Sequence, residues 1–201
     1  PGHGFTDPGA IASLNQSQIY ESTLNLQISL ALSKALNSLG YNVILTHNGT
    51  DEPDEEYLDD TLPRFNVNMR NKWIRDRADE IDLVISVHCN SYSSSSVSGS
   101  RYYILPSGAS GYNSDSYTLM ADIISSVKSA FSLSKEPTWY RQSLAVLATG
   151  LPSVLLECGF MTNPGDLANL QDPAWQQKYA SAVAAGIAEY CAENIEGGDS
   201  L

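Results

Sequence analysis

The chain has 201 residues, 42% hydrophobic and 17% charged, which suits one globular domain with a sizeable core and argues against disorder. Its 11 basic residues stand against 23 acidic ones, a formal net charge of −12. That balance excludes a general nucleic-acid or anionic-membrane binder, since both need a basic footprint. No stretch reaches the ~18 consecutive apolar residues of a membrane span. Three cysteines, Cys89, Cys158 and Cys191, are too few for a disulfide framework and read as buried free thiols, with a Cys89–Cys158 link left open.

Pro1 to Ala10 is a loop dense in glycine and proline that holds His3 on tightly turned backbone. A preceding segment, including a first strand, is expected outside this sequence. Glu21 to Leu39 reads as an amphipathic helix with Leu24, Ile28, Leu32, Ala35 and Leu36 on one face, Gly40 as its stop and Glu21 in its first turn. Tyr41 to Leu45 is expected as a short strand, followed by His47 in a loop. The acidic run Asp51 to Asp60 reads as a solvated loop, with a cation site as its alternative. Arg64 to Asp79 reads as a helix whose five basic residues form a solvated face rather than a phosphate patch.

Leu83 to Val87 is an apolar, β-branched run, as expected of a strand covered on both faces, and it ends in His88. Ligands in open α/β sheets sit beyond the carboxyl ends of strands, so His88 is well placed for chemistry. A flexible loop is expected over Ser91 to Ser100 and an edge strand over Arg101 to Leu105. Tyr112 to Phe131 reads as a helix, Leu144 to Leu147 as a short apolar segment, and Val154 to Leu156 as a buried strand ending in Glu157. Asn163-Pro164 and Asp172-Pro173 are helix starts with a capping side chain before proline, and the last helix runs from Pro173 to Asn194. Residues 1–195 are thus expected to be one domain, which the resemblance given below implies is catalytic, and 196–201 a tail or linker.

Two strands end in residues able to do chemistry, a glycine-rich loop offers His3, and a helix start offers Glu21. An ionised carboxylate beside a buried strand is costly unless it is paired, metal-bound or solvated in a cleft, which singles out Glu157. Two imidazoles and one carboxylate form a zinc ligand set with one position open for water, and a fourth group then suits a general base. The scattered spacing does not establish this on its own.

Pro1-Gly-His3-Gly…Asp7-Pro-Gly-Ala10, Glu21-x-x-Leu-Asn25-Leu, Ile85-Ser-Val-His88-x-Asn90 and Leu156-Glu157-x-Gly-Phe-x-x-Asn163 occur in this order. Together they resemble the zinc-dependent N-acetylmuramoyl-L-alanine amidases of the type-3 amidase family, the catalytic domains of cell-wall autolysins, sporulation hydrolases and endolysins. The resemblance runs from Pro1 to near Tyr190. It implies an α/β fold with a mostly parallel twisted sheet of about six strands and helices on both faces. It also implies one zinc ion on His3, Glu21 and His88, with Glu157 as the catalytic glutamate. The implied reaction is hydrolysis of the amide between the lactyl group of N-acetylmuramic acid and L-Ala of the peptidoglycan stem peptide.

The implied partner is peptidoglycan, with no nucleic acid and no membrane span, and the implied setting is extracellular, in the cell wall or periplasm. A monomer is expected, with a separate wall-binding module outside this chain. The sequence departs from the family in a longer loop between His3 and Glu21, and in His47 where an arginine is usual. Two other classes compete: a glycoside hydrolase using Glu21 and Glu157, which leaves both histidines unexplained, and a non-catalytic wall-binding or regulatory relative with the same fold.

Overall fold

The computed structural model describes residues 1–4, 7–14, 16–49 and 66–195. The acidic run 51–60 and the tail 196–201 lie outside the described residues. A hairpin of β1 (Ile11–Leu14) and β2 (Ser17–Tyr20) leads directly into α1 (Glu21–Ser38). Leu24, Ile28, Leu32, Ala35 and Leu36 are buried along α1, the face that the three- and four-residue spacing predicts. There follow α2 (Val67–Arg75), β3 (Val84–Asn90), β4 (Arg101–Ile104) and α3 (Ser116–Ala130). The chain continues through β5 (Thr138–Arg141), β6 (Ser153–Phe160), α4 (Pro164–Gln171) and α5 (Pro173–Asn194).

The described sheet has four strands in the order β3-β6-β4-β5. β3 and β6 run parallel, as do β4 and β5, while β4 and β6 are antiparallel. Among the described residues the sheet is therefore mixed and four-stranded, with two of its three ladders parallel, where about six mostly parallel strands were expected, the first of them outside this sequence. The helices α1, α3 and α5 cover one face, whereas on the other α2 packs against a short turn at Ala145–Leu147 that lies on the sheet. Val87, Leu156 and Tyr102 point into a core shared with α1, α3 and α5. On the other face Leu155 packs with Leu105, Val146 and Leu147, where Asn71 of α2 donates to the Ala145 carbonyl.

Several expectations change at the sheet margins. β4 is interior, because Thr138–Arg141, too short and too exposed to read as a strand, pairs along its outer side. Tyr41 to Leu45 joins no ladder. Residues 41–46 and 81–87 instead line a cavity of about 440 Å³ on the edge of β3 away from β6. Backbone at such an edge becomes strand only when its polar groups find a partner chain. Leu144 to Leu147 contributes a single 3-10 turn, Ala145–Leu147. Both predicted helix starts hold: Asn163 caps the Asp166 amide and Asp172 caps the Ala174 amide.

The helix layer depends on one close approach. A Cβ on Gly186 of α5 would lie 2.5 Å from the Ile123 Cα and 2.6 Å from the Asp122 carbonyl oxygen of α3. Gly186→Ala is therefore expected to destabilise the fold by about 1–3 kcal/mol through overpacking, although alanine is the better helix former by about 1 kcal/mol. Thermal unfolding should show a lower midpoint, and a raised midpoint would contradict this packing.

Candidate metal-binding site

The loop that opens the chain is fastened to the strand that carries His88. The Gly2 amide donates to the Val87 carbonyl at 2.8 Å, and Asn25 Nδ2 of α1 donates to the Gly2 carbonyl at 3.0 Å. Only glycine fits at position 2, where a Cβ would lie 2.1 Å from the His88 ring. His3 then takes a left-handed backbone, φ 58°, which strains a non-glycine residue and persists because its surroundings over-determine it. Its carbonyl accepts from His47 Nε2 at 2.9 Å, and Gly4 and Asp7 exchange backbone hydrogen bonds.

These restraints bring His3, Glu21 and His88 together from a loop, a helix start and a strand. Their ligand atoms all lie within 4.8 Å of one another. His3 Nε2 is 3.3 Å from Glu21 Oε2, His88 Nδ1 is 2.9 Å from Glu21 Oε1, and the rings sit edge-on at 5.0 Å. His3 Nδ1 donates to Asp7 Oδ2 at 2.8 Å, so the proton stays on Nδ1 and Nε2 is left for the cluster. Glu21 is 5% exposed and also accepts from the Ala10 amide, the Cys89 amide and Asn25 Nδ2.

The charges follow from this geometry. Burial would raise the Glu21 carboxyl, but hydrogen bonds from His3 and His88 outweigh it and hold the group far below the ordinary carboxylate range. The same bond to Glu21 raises His3 to about 9 against the cost of its own burial. Burial lowers His88 despite its bond to Glu21. One buried carboxylate thus supports one imidazolium, and the more accessible ring carries it. A buried carboxylate facing two imidazole nitrogens fits a divalent ion of borderline softness such as zinc, which would take the place of the ring proton.

Glu157 stands one strand away, in direct register with His88. Its Oε2 is buried with no hydrogen-bond partner among the described residues. Burial, then the charge of Glu21, push its carboxyl up to about 8, with His3 opposing. Such an orphaned, proton-retaining carboxyl at a cluster edge is a candidate functional group.

Other predicted residues take different places. His47 is buried and bonds the backbone of His3, so it supports the loop and is not in the cluster. Arg70, expected on a solvated face, is buried and senses the charge of Asp7. The loop 91–100, expected to be flexible, is pinned: Tyr92 N donates to Thr162 Oγ1, Asn163 Nδ2 to the Ser95 carbonyl, and Gly99 N to Asp166. All three cysteines are buried and free. Sequence reading missed the supporting roles of Asp7 and Asn25. Asn25 lies one helical turn after Glu21, a spacing that carries the signal.

A family described as N-acetylmuramoyl-L-alanine amidase matches residues 1–189. The uncharacterized protein YqiI of Bacillus subtilis is 28% identical over 191 residues, covering 94% of this chain and 81% of that protein. The probable cell wall amidase LytH of Staphylococcus epidermidis is 25% identical over 190 residues, and the chain spans 56% of its length. Among solved structures, the CwlD amidase from Clostridioides difficile in complex with the GerS lipoprotein matches with a TM-score of 0.81 at 27% identity over 96% of both chains.

A stability test follows from Glu157 in the metal-free protein. Its folded pKa is raised from 4.5 to about 8, so the stability its proton contributes is complete below pH 4.5 and lost as pH rises through 8. Glu157→Gln removes that loss. The variant should gain on wild type by about 1.4 kcal/mol per pH unit at most across that window, with an upper limit on the order of 5 kcal/mol. Urea unfolding at pH 4.5 and pH 8 with chelator present measures it; an equal difference at both pH values would contradict the burial of this carboxyl.

Proposed function

The chain belongs to the N-acetylmuramoyl-L-alanine amidase family, and on that footing we propose that it is a zinc-dependent hydrolase. The bond cut is the amide between the lactyl group of N-acetylmuramic acid and L-Ala of the stem peptide. The observation that carries this reading is the convergence of His3, Glu21 and His88 within 4.8 Å beside the orphaned carboxyl of Glu157. His3, Glu21 and His88 would hold the ion. When bound, zinc supplies Lewis-acid polarisation of the scissile carbonyl and lowers the pKa of water toward ~7.

The chain's own groups do the rest. Glu157 accepts the proton of the attacking water and returns it to the leaving L-Ala amine, a dual task suited to a carboxyl that titrates near neutrality. Asp7 fixes the His3 tautomer. The Ala10 and Cys89 amides and Asn25 fix the two oxygens of Glu21. That engagement also disfavours the glycosidase alternative, because Glu21 has no free edge with which to act as an acid on a sugar.

We place the activity in the cell wall, outside the cytoplasm, as the names of the relatives suggest. No described helix is long and apolar enough to cross a membrane. A net charge of −12 gives no long-range attraction to an anionic wall, so a separate wall-binding module would supply the affinity.

Digestion of purified peptidoglycan should release new L-Ala amines and no new reducing sugar ends. Glu157→Ala should keep its zinc and lose turnover by roughly 10²–10⁴-fold, whereas His88→Ala should lose the metal. Wild-type digestion by the first variant, or unchanged zinc stoichiometry in the second, would remove that residue from its role. Asp7→Ala should weaken zinc binding by roughly 10–100-fold, measured by chelator competition, and an unchanged affinity would show that Asp7 does not orient His3.

A further inference from the structure

The register of the sheet sets four residues in one row. His88 of β3 pairs with Glu157 of β6, Glu157 with Arg101 of β4, and Arg101 with Thr138 of β5. Registered neighbours point to the same face. His88, Glu157 and Arg101 are half-buried and Thr138 is exposed, whereas the preceding row of Val87, Leu156 and Tyr102 is sunk in the helix-covered core. Adjacent strands lie about 4.8 Å apart, so the backbone of Arg101 sits one strand beyond Glu157 and about 10 Å from that of His88.

Arg101 is held at this rim without being neutralised. One guanidinium nitrogen, Nη1, donates to the Gly99 and Ser100 carbonyls at 3.3 and 2.9 Å, and the group lies 5.3 Å from the Phe160 ring centroid. It pairs with no carboxylate among the described residues. Its remaining donors are therefore available to a ligand. Two residues along β4 on the same face, Tyr103 stacks on Tyr140 at 5.3 Å, and Tyr140 is 45% exposed. The result is a cation one strand beyond the candidate catalytic carboxyl, turned toward Gly99, Ser100 and Phe160, with an aromatic pair on the same face, in a chain whose net charge is −12.

We propose that Arg101 is the carboxylate-reading residue of the substrate groove, selecting stem peptides whose second residue carries a free carboxylate. The proposal rests on the amidase reading for the identity of the substrate. An extended peptide advances about 3.3–3.6 Å per residue. A scissile amide between the metal cluster and Glu157 therefore brings the second residue about 7 Å along the row, within reach of the arginine side chain. The sugar side of the bond is neutral there and gives a guanidinium nothing to pair with. Arginine suits this task because its planar fork meets a carboxylate through two parallel bonds.

The test compares two synthetic muramoyl tripeptides that differ only in whether the second-residue carboxyl is free or amidated. Equilibrium binding is measured on zinc-loaded Glu157→Gln protein, so that turnover does not intervene. With Arg101 present the free acid should bind roughly tenfold tighter. Adding Arg101→Gln should bring the ratio to about 1 by weakening the free acid alone. Thr138→Glu, which sets a carboxylate opposite Arg101 on an exposed edge strand, should also abolish the preference and serves if Arg101→Gln does not fold. No preference in the Arg101 protein, or a preference that survives both variants, overturns the proposal. Loss of product release by otherwise wild-type protein with the binding ratio intact would instead overturn the amidase reading alone.

Discussion

The carboxylate of Glu21 is the point on which three distant parts of the chain converge. It is buried, it holds an imidazole from the first loop and another from β3, and it takes backbone amides from Ala10 and Cys89. A lone buried carboxylate would cost several kcal/mol. Its partners offset that cost, and in doing so they set the position of His3 relative to His88. The tension left over is visible in the rings: both meet the same carboxylate, yet one is raised and the other lowered. A divalent ion between them would satisfy all three groups at once.

Around that carboxylate the sheet acts as a ruler. The parallel pairing of β3 and β6 puts Glu157 level with His88, and the antiparallel pairing of β6 and β4 puts Arg101 level with both. A slip of one residue in either ladder would turn Glu157 or Arg101 into the helix-covered core. The buried row of Val87, Leu156 and Tyr102 locks the register against that slip. Site geometry and core packing are thus two faces of the same pairing.

Much of this was legible in the sequence where local chemistry decides the outcome. Periodic leucines and isoleucines marked α1, and Asn163 and Asp172 before proline marked two helix starts. β3 and β6 were readable because few polar residues interrupt them. The losses fall where non-local partners decide. Thr-Trp-Tyr-Arg at 138–141 is a strand only because β4 lies beside it, and Tyr41 to Leu45 is not one because no ladder forms there. The serine-rich loop looked flexible by composition, but it is held by Thr162, Asn163 and Asp166 from seventy residues away. The candidate residues were each visible as polar groups at element ends. Their convergence was not, since it depends on strand register and on the turn that fits His3 against Asp7. Only the resemblance in ordered motifs pointed there.

X-ray absorption at the zinc edge of the reconstituted protein tests the central claim most directly, because it reads the identity of the atoms bound to the ion. The expected result is a first shell of nitrogen and oxygen with the multiple-scattering signature of two imidazoles and no sulfur. A sulfur scatterer, drawn from Cys89 or Cys158 beside the cluster, or a shell with fewer than two imidazoles, would contradict it.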